Sequence, residues 1–334
     1  MTDRHRIAAF AAVTALVPAL IAALGAAPAA AQPQSAEWPV KPLRLIVPFP
    51  PGGATDVVAR QLAQHLGGVF GQTFIVDNRA GAAGNIGTEA IARAAPDGYT
   101  IGLSTSGPLA NNRALYRNMP FDPQKDLAPI ALIGEIPIVL VTHPGVKAKT
   151  LREFVALVKA APAQFAMGHP GNGTIGHLTL EALGMATGIA PQSVPYKGDA
   201  PAMTDLLGGS IQGLAAPVTS FIPNIQADKL RSLAVTSRTR FPGLPNVPTA
   251  LEQGFDLEAT VWFAVVGPAG LSKAVVARLN QEINRYTASA DGRARLAQFG
   301  MVESSGGPEL LGTVMSAEAS RWRKVVEAAK IALD

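Results

Sequence analysis

From residue 43 onward the chain alternates short apolar runs with longer stretches of helical periodicity. Leu43-Arg44-Leu45-Ile46-Val47 is an apolar run closed by Pro48 and predicts a strand. A Pro/Gly turn over 49–55 follows, and then Val57, Val58, Leu62 and Leu66 recur at helical spacing within 56–66. Phe74-Ile75-Val76 predicts a second strand, 78–85 a Gly-rich loop, 86–94 a second helix, and 99–103 a third strand ending in Ser104-Thr105-Ser106-Gly107. A second block repeats the scheme. Strand-like 165–167 leads through a Gly/Pro loop to a helix over 177–187, then come a strand at 193–196, a turn at 197–199 and a helix over 200–207. Residues 211–216 and 230–235 predict further strands. Such alternation implies an α/β protein with a mostly parallel sheet covered on both faces.

Between the blocks, 130–142 is a long apolar run broken by Gly134 and Pro137, suited to a strand that leaves one lobe and enters the other. Residues 261–266 are the candidate return crossing, and helices are expected over 273–288 and 308–332. Two crossings divide the chain into a discontinuous first lobe, 37–136 plus 260–334, and a second lobe, 137–259. Ligands of open α/β sheets bind beyond the carboxyl ends of the strands, so two facing lobes place their loops on one cleft.

The segment before residue 37 has a different pattern. Arg4, His5 and Arg6 precede an apolar, alanine-rich run over 7–27, followed by Ala27-Pro28-Ala29-Ala30-Ala31. This is the three-part pattern of a secretory signal peptide occupying 1–31, with cleavage expected after Ala31 and export to the periplasm. A transmembrane anchor is the competing reading on length alone. Small residues followed by polar Gln32-Pro33-Gln34-Ser35 favour cleavage.

Cysteine is absent, which removes disulfides, thiolate metal sites and a lipid-modified cysteine. The net charge is +4, and loss of Asp3, Arg4 and Arg6 with the signal segment leaves about +3. With no basic block, nucleic acid is not an expected partner. His65, His143, His169 and His177 are scattered without metal-binding spacing, so no metal and no cofactor are expected.

Three strand–loop–helix junctions carry the candidate chemistry. The first is Phe49-Pro50-Pro51-Gly52-Gly53-Ala54-Thr55-Asp56, where glycines let the backbone approach a ligand and the next helix aims its free N–H groups at the loop. A tight turn capped by Thr55 or Asp56 is the plainer alternative. Asp56 suits a cap or a water-holding group better than a direct partner of an anion, since like charges repel. The second is Gly171-Asn172-Gly173-Thr174-Ile175-Gly176, a literal GxGxxG with Asp199 downstream. A dinucleotide reading is possible, but the motif lies mid-chain, behind Pro170, in an exported protein, and the same geometry serves a carboxylate. A turn capped by Thr174 is the plainer alternative. His177 opens the following helix and can face the cleft or cap it. The third is Ser104-Thr105-Ser106, whose hydroxyls can donate to a carboxylate. It is not GxSxG, so a nucleophile elbow is unsupported and no catalytic residue is assigned. Lys197 can meet a carboxylate or remain a solvated turn lysine.

Taken together, these stretches resemble the Bug family, the periplasmic solute-binding proteins of tripartite tricarboxylate transporters. The resemblance rests on Trp38-Pro39 with Lys41-Pro42, on 47–53 with Asp56 and Arg60, on Asp77-Asn78-Arg79-Ala80-Gly81 with Gly84-Asn85-Ile86-Gly87, and on Pro96-Asp97-Gly98-Tyr99-Thr100. It continues through 171–178, Val194-Pro195-Tyr196-Lys197-Gly198 and Asp205-Leu206-Leu207-Gly208-Gly209. It implies a type II periplasmic-binding-protein fold of two α/β lobes closing on a small carboxylate. It also implies a monomer that hands its ligand to a membrane permease of one large and one small subunit. Ligand-binding positions implied are Phe49, Pro51, Gly53, Ala54, Thr55 and Asp56; Ser104, Thr105 and Ser106; Gly171, Asn172, Gly173, Thr174 and His177; and Lys197 with Asp199. The family often carries Phe-Asp where this chain has Ala215-Ala216, which leaves room for a larger or less polar ligand. A sensor partner in place of the permease, and an exported hydrolase using Ser104 or Ser106, are the alternative functions.

Overall fold

The computed structural model describes residues 38–333; the expected signal segment and its cleavage point lie outside them. Among the described residues no helix is long and apolar enough to cross a membrane.

The first block folds as β1 (Leu43–Val47), α1 (Ala54–Phe70), β2 (Phe74–Asn78), α2 (Asn85–Ala92) and β3 (Thr100–Thr105). A π-helical turn, Gly107–Asn111, and the single turn α3 (Asn112–Leu115) follow β3. The outgoing crossing is β4 (Leu127–Thr142). The second block comprises α4 (Leu151–Ala160), β5 (Ala166–His169), α5 (Ile175–Thr187), β6 (Gln192–Pro195), α6 (Asp199–Leu207), β7 (Gly213–Pro217), α7 (Ile222–Gln226) and β8 (Arg231–Val235). The return crossing is β9 (Thr260–Pro268), after which come α8 (Lys273–Ala288), α9 (Ala290–Ala297), β10 (Val302–Glu303) and α10 (Pro308–Ala329).

Ten strands form one curled sheet in the order β2-β1-β3-β9-β4-β7-β5-β6, with β8 and β10 also pairing β4. The expectation of a mostly parallel sheet needs correction. β1 is parallel to β2 and β3, and β5 to β6 and β7, but β9 is antiparallel to β3 and β4, and β7, β8 and β10 are antiparallel to β4. The cause is the pair of crossings, since a strand that leaves a lobe and one that returns must run in opposite directions. Each lobe therefore keeps a parallel βαβ flank and meets its neighbour through antiparallel strands. The outgoing strand has 16 residues, which spans about 50 Å at the usual rise. Its register against β9 shifts near Gly134, where β10 approaches so closely that a Cβ would lie 2.4 Å from the Val302 carbonyl oxygen.

Two apolar cores flank the crossings. One holds Ile46, Ile91, Leu109, Phe121, Leu127, Trp262 and Val266. The other holds Ile138, Leu140, Phe154, Met167, Leu178, Leu183 and Leu233. Helix α10 enters both. Leu311, Met315 and Ala319 pack in the first, and Trp322, Val325 and Val326 in the second. That stripe follows the 3.6-residue period, and 22 residues give a rod of about 33 Å, long enough to lie across both cores. Because sheet and helix are shared, residues Lys41–Asp334 cluster as one compact unit.

Helices α3, α4, α7 and α9 and strand β10 have no counterpart among the elements read from the sequence. For α4 the signal was present: Thr150 accepts the Glu153 backbone N–H at 3.1 Å, and Leu151, Phe154, Val155 and Val158 form the buried face.

Candidate functional site

Sequence places the candidate residues at the carboxyl ends of β1, β3, β5 and β6, and the structure gathers them into two groups, one per block.

In the first group, helix α1 begins after Gly53, which stands in the N-cap position without a side-chain cap. Thr55 and Asp56 are thus the second and third helical residues rather than caps. Asp56 is 3% exposed and reaches back to accept the Gly52 N–H at 2.9 Å. It also accepts Arg60 Nε at 3.0 Å and Asn78 Nδ2 at 2.9 Å. Asn78 Nδ2 contacts the Phe49 carbonyl at 3.1 Å, so one ionic knot ties 49–52 to α1 and β2. Burial works against the charge on Asp56, but the hydrogen bonds from Arg60, Gly52 and Asn78 outweigh it and hold its pKa below the ordinary carboxylate value.

The remaining first-block residues close around this knot. A Cβ built on Gly84 would lie 3.1 Å from the Phe49 ring and 3.2 Å from Pro108, so three loops meet there. Asn112 Nδ2 donates to the Ala83 carbonyl at 3.2 Å and to Asn85 Oδ1 at 2.7 Å. Ser104, Thr105 and Ser106 are buried, and Ser104 Oγ shares a 3.0 Å hydrogen bond with Thr88 Oγ1. Asn85, Thr88, Asn111 and Asn112 are buried polar residues that the sequence did not single out as site residues. Their signal was faint, because asparagine is the expected residue of a loop whether or not it faces a ligand.

In the second group, Thr174 caps α5: its hydroxyl donates to the Gly171 carbonyl at 2.7 Å and accepts the His177 N–H at 3.4 Å. His177 Nδ1 accepts the Gly173 N–H at 3.1 Å. The ring of His169, fully buried at the end of β5, stacks on that of His177 with centroids 4.3 Å apart. His169 Nδ1 lies 3.0 Å from the Gly171 carbonyl oxygen and 3.3 Å from its nitrogen. Burial and the neighbouring His177 push the His169 pKa down to about 4. Asn172 is exposed, as is Lys197. The Gly198 N–H donates to the Pro170 carbonyl at 2.9 Å, which brings the 197–199 turn onto the 171–177 loop. Asp199 accepts the Ser220 hydroxyl at 2.5 Å, at the start of a helix whose N-cap, Gly198, again lacks a side-chain cap. Ala215 and Ala216 are fully buried. Ala215 belongs to the second core, with its carbonyl against Gly176.

Apolar contact brings the end of α3 and the C-terminal segment onto the second group. Leu333 N–H donates to the Leu115 carbonyl at 3.1 Å, and both leucine side chains approach Gly173. Gly173 has φ +75°, and a Cβ there would fall 2.5 Å from Leu333 Cδ1, so any larger residue strains the backbone as well as crowding the loop. The two crossings are tied separately, by Thr260 Oγ1 donating to Glu135 Oε2 at 3.0 Å. Among the described residues no cluster of three or more metal-ligating side chains occurs.

Two lobes joined by two crossing strands, with loop–helix junctions from each, define the solute-binding-protein class, in its type II form. Residues 58–331 match the family model of the tripartite tricarboxylate transporter family receptor, so the chain belongs to that family of periplasmic receptors. Over 299 residues it is 39% identical to protein BugT of Bordetella pertussis, covering 89% of this chain and 92% of that protein. It superposes on R. palustris Rpa4515 with adipate at a TM-score of 0.74 and 33% identity, covering 89% of this chain and all of the other. It superposes on MatC from Rhodopseudomonas palustris with bound malate at 0.70 and 29%, covering 86% of this chain and all of the other.

Proposed function

We propose that the chain captures a small carboxylate between its lobes in the periplasm, performs no chemistry on it, and delivers it to the two membrane subunits of a tripartite transporter. The observation that carries this reading is the pair of loop–helix junctions, one in each block, whose helices start from Gly53 and Gly198 without side-chain caps. Uncapped first-turn N–H groups are donors with partial positive charge, suited to replace the water that a carboxylate loses on burial. The adipate and malate bound by two related structures support the ligand class.

In this reading the lobes are 37–136 plus 260–334 and 137–259, with α10 bracing both. Phe49, Pro51, Gly53, Ala54 and Thr55, with Ser104, Thr105 and Ser106, form one wall. Gly171, Asn172, Gly173, Thr174, Lys197 and Asp199 form the other. Asp56 and His177 act behind these walls, since their polar atoms are engaged with loop backbone. Ser104 is paired with Thr88 rather than with a base, which supports binding without catalysis. The export signal, cut near Ala31, and the monomeric state complete the reading.

The test is a calorimetric and thermal-shift titration of purified protein with adipate, malate, citrate, glutamate and benzoate, beside adipamide as the neutral analogue. At 100-fold Kd a ligand adds about 2.7 kcal/mol of stability, a rise of a few degrees in Tm. One acid is expected to give that rise and adipamide none. If every acid leaves Tm and heat unchanged, the reading fails.

A further inference from the structure

The 171–177 loop is held by imidazoles, and this has a consequence of its own. His177 accepts the Gly173 N–H through Nδ1, and its Nε2 lies 3.5 Å from Glu181 Oε1. A ring that accepts at Nδ1 and meets a carboxylate at Nε2 is the neutral tautomer with its proton on Nε2. A second proton would go to Nδ1, where it would confront the Gly173 N–H donor to donor. His169 stacks on this ring, fully buried, with its own Nε2 lacking any hydrogen-bond partner. Two rings 4.3 Å apart disfavour a second charge on the pair.

We propose that the stacked His169–His177 pair positions the loop backbone of the second lobe and makes ligand retention pH-dependent: neutral rings hold Gly171 and Gly173 in the binding shape, and protonation of His177 releases Gly173. His177 is a positioning residue acting through Gly173, and the proposal rests on the carboxylate-binding reading above. Among the described residues, the charged or titratable groups acting on the pair are few. Glu181 lies on the same helix as His177, and β5 contributes His169. Strand β7, which packs on α5, carries no titratable side chain. Helix α10 presents Ala328 and Ala329 to the hollow that Glu181 lines, and its Lys324 lines a separate hollow with Ala182 and Met185. The Glu181 carboxylate is kept below its ordinary pKa chiefly by the His177 hydrogen bond, so it stays charged as the pH falls.

The test compares wild type with His177→Asn and His177→Phe. Asparagine offers an acceptor near the position of Nδ1 and never titrates, whereas phenylalanine keeps the stack without the acceptor. Without ligand, hydrogen exchange of the Gly173 amide is followed by NMR at pH 7.5 and 5.5. Protection in H177N at both pH values, exchange at least 10-fold faster in H177F, and loss of protection in wild type only at pH 5.5 are expected. Equal protection in all three proteins overturns the positioning role. Calorimetric titration with adipate, or with whichever acid of the panel binds, gives the functional arm. Wild-type affinity, divided by that of H177N at the same pH, should fall at least 10-fold between pH 7.5 and 5.5. A constant or rising ratio overturns the pH dependence. If no acid binds wild type, the carboxylate reading fails while the amide exchange still decides the role of His177.

Discussion

The two loops expected to meet the ligand are braced by different physics. Residues 49–52 are held by a charged knot, with Asp56 taking donors from Gly52, Arg60 and Asn78. Residues 171–174 are held by imidazole rings and a hydroxyl, from His169, His177 and Thr174. A carboxylate whose pKa is already depressed stays charged over the whole physiological range. An imidazole accepting through Nδ1 works only while it remains neutral. The brace of the first loop therefore ignores acidity, and that of the second responds to it.

The largest effect that separates the walls should come from His169. Its pKa is about 4 in the folded protein against about 6.5 in an unfolded chain. The unfolded chain takes up the proton first, so stability is intact above about pH 6.5 and falls as the pH drops toward 4. The full loss is about 3 kcal/mol. Urea titrations at pH 7, 5.5 and 4 are expected to show this fall, and His169→Asn should flatten it. An equal slope in the variant would mean that the second wall is no more acid-sensitive than the first.

Asp56→Asn comes next. It leaves the Gly52 N–H and Arg60 without their carboxylate, at a cost on the order of 2 kcal/mol at pH 7. Because the folded pKa of Asp56 is lowered, its contribution is present above about pH 4 and lost only below it. The difference between wild type and variant in the same urea series should therefore stay constant from pH 7 to pH 5. A difference that shrinks with the His169 slope would erase the contrast between the walls.

The smallest expected effect is Thr174→Ala, which removes the cap of α5 and the bond to the Gly171 carbonyl, for about 1 kcal/mol. Its loss should be independent of pH, since a hydroxyl does not titrate. A larger effect at low pH would show that cap and rings act as one unit.

The same contrast explains how far the sequence could be read. The loops and helix starts were legible at 49–56 and 171–177, because glycine, proline and threonine there announce turns and caps by local geometry. The crossings were legible as long apolar runs at 130–142 and 261–266. Local pattern read Asp56 as a cap or a water-holding group. It did not reveal that Asn78, 22 residues away, completes its shell. His169 read as one of several scattered histidines, and His177 as a helix-opening residue able to face the cleft. Only the packing of β5 under α5 turns them into a stacked pair.

What the sequence by itself determined is most of the elements, the two crossings and the two loop–helix junctions. These follow from side-chain period and backbone preference within a few neighbouring residues. Tertiary structure alone decided the antiparallel centre of the sheet, because strand direction depends on where the chain goes next. It also decided the sharing of α10 between two cores, where one continuous stripe from Leu311 to Val326 meets two different partners. And it decided the lowered pKa of His169 behind the second loop, since burial and a neighbouring imidazole exist only once distant segments have come together.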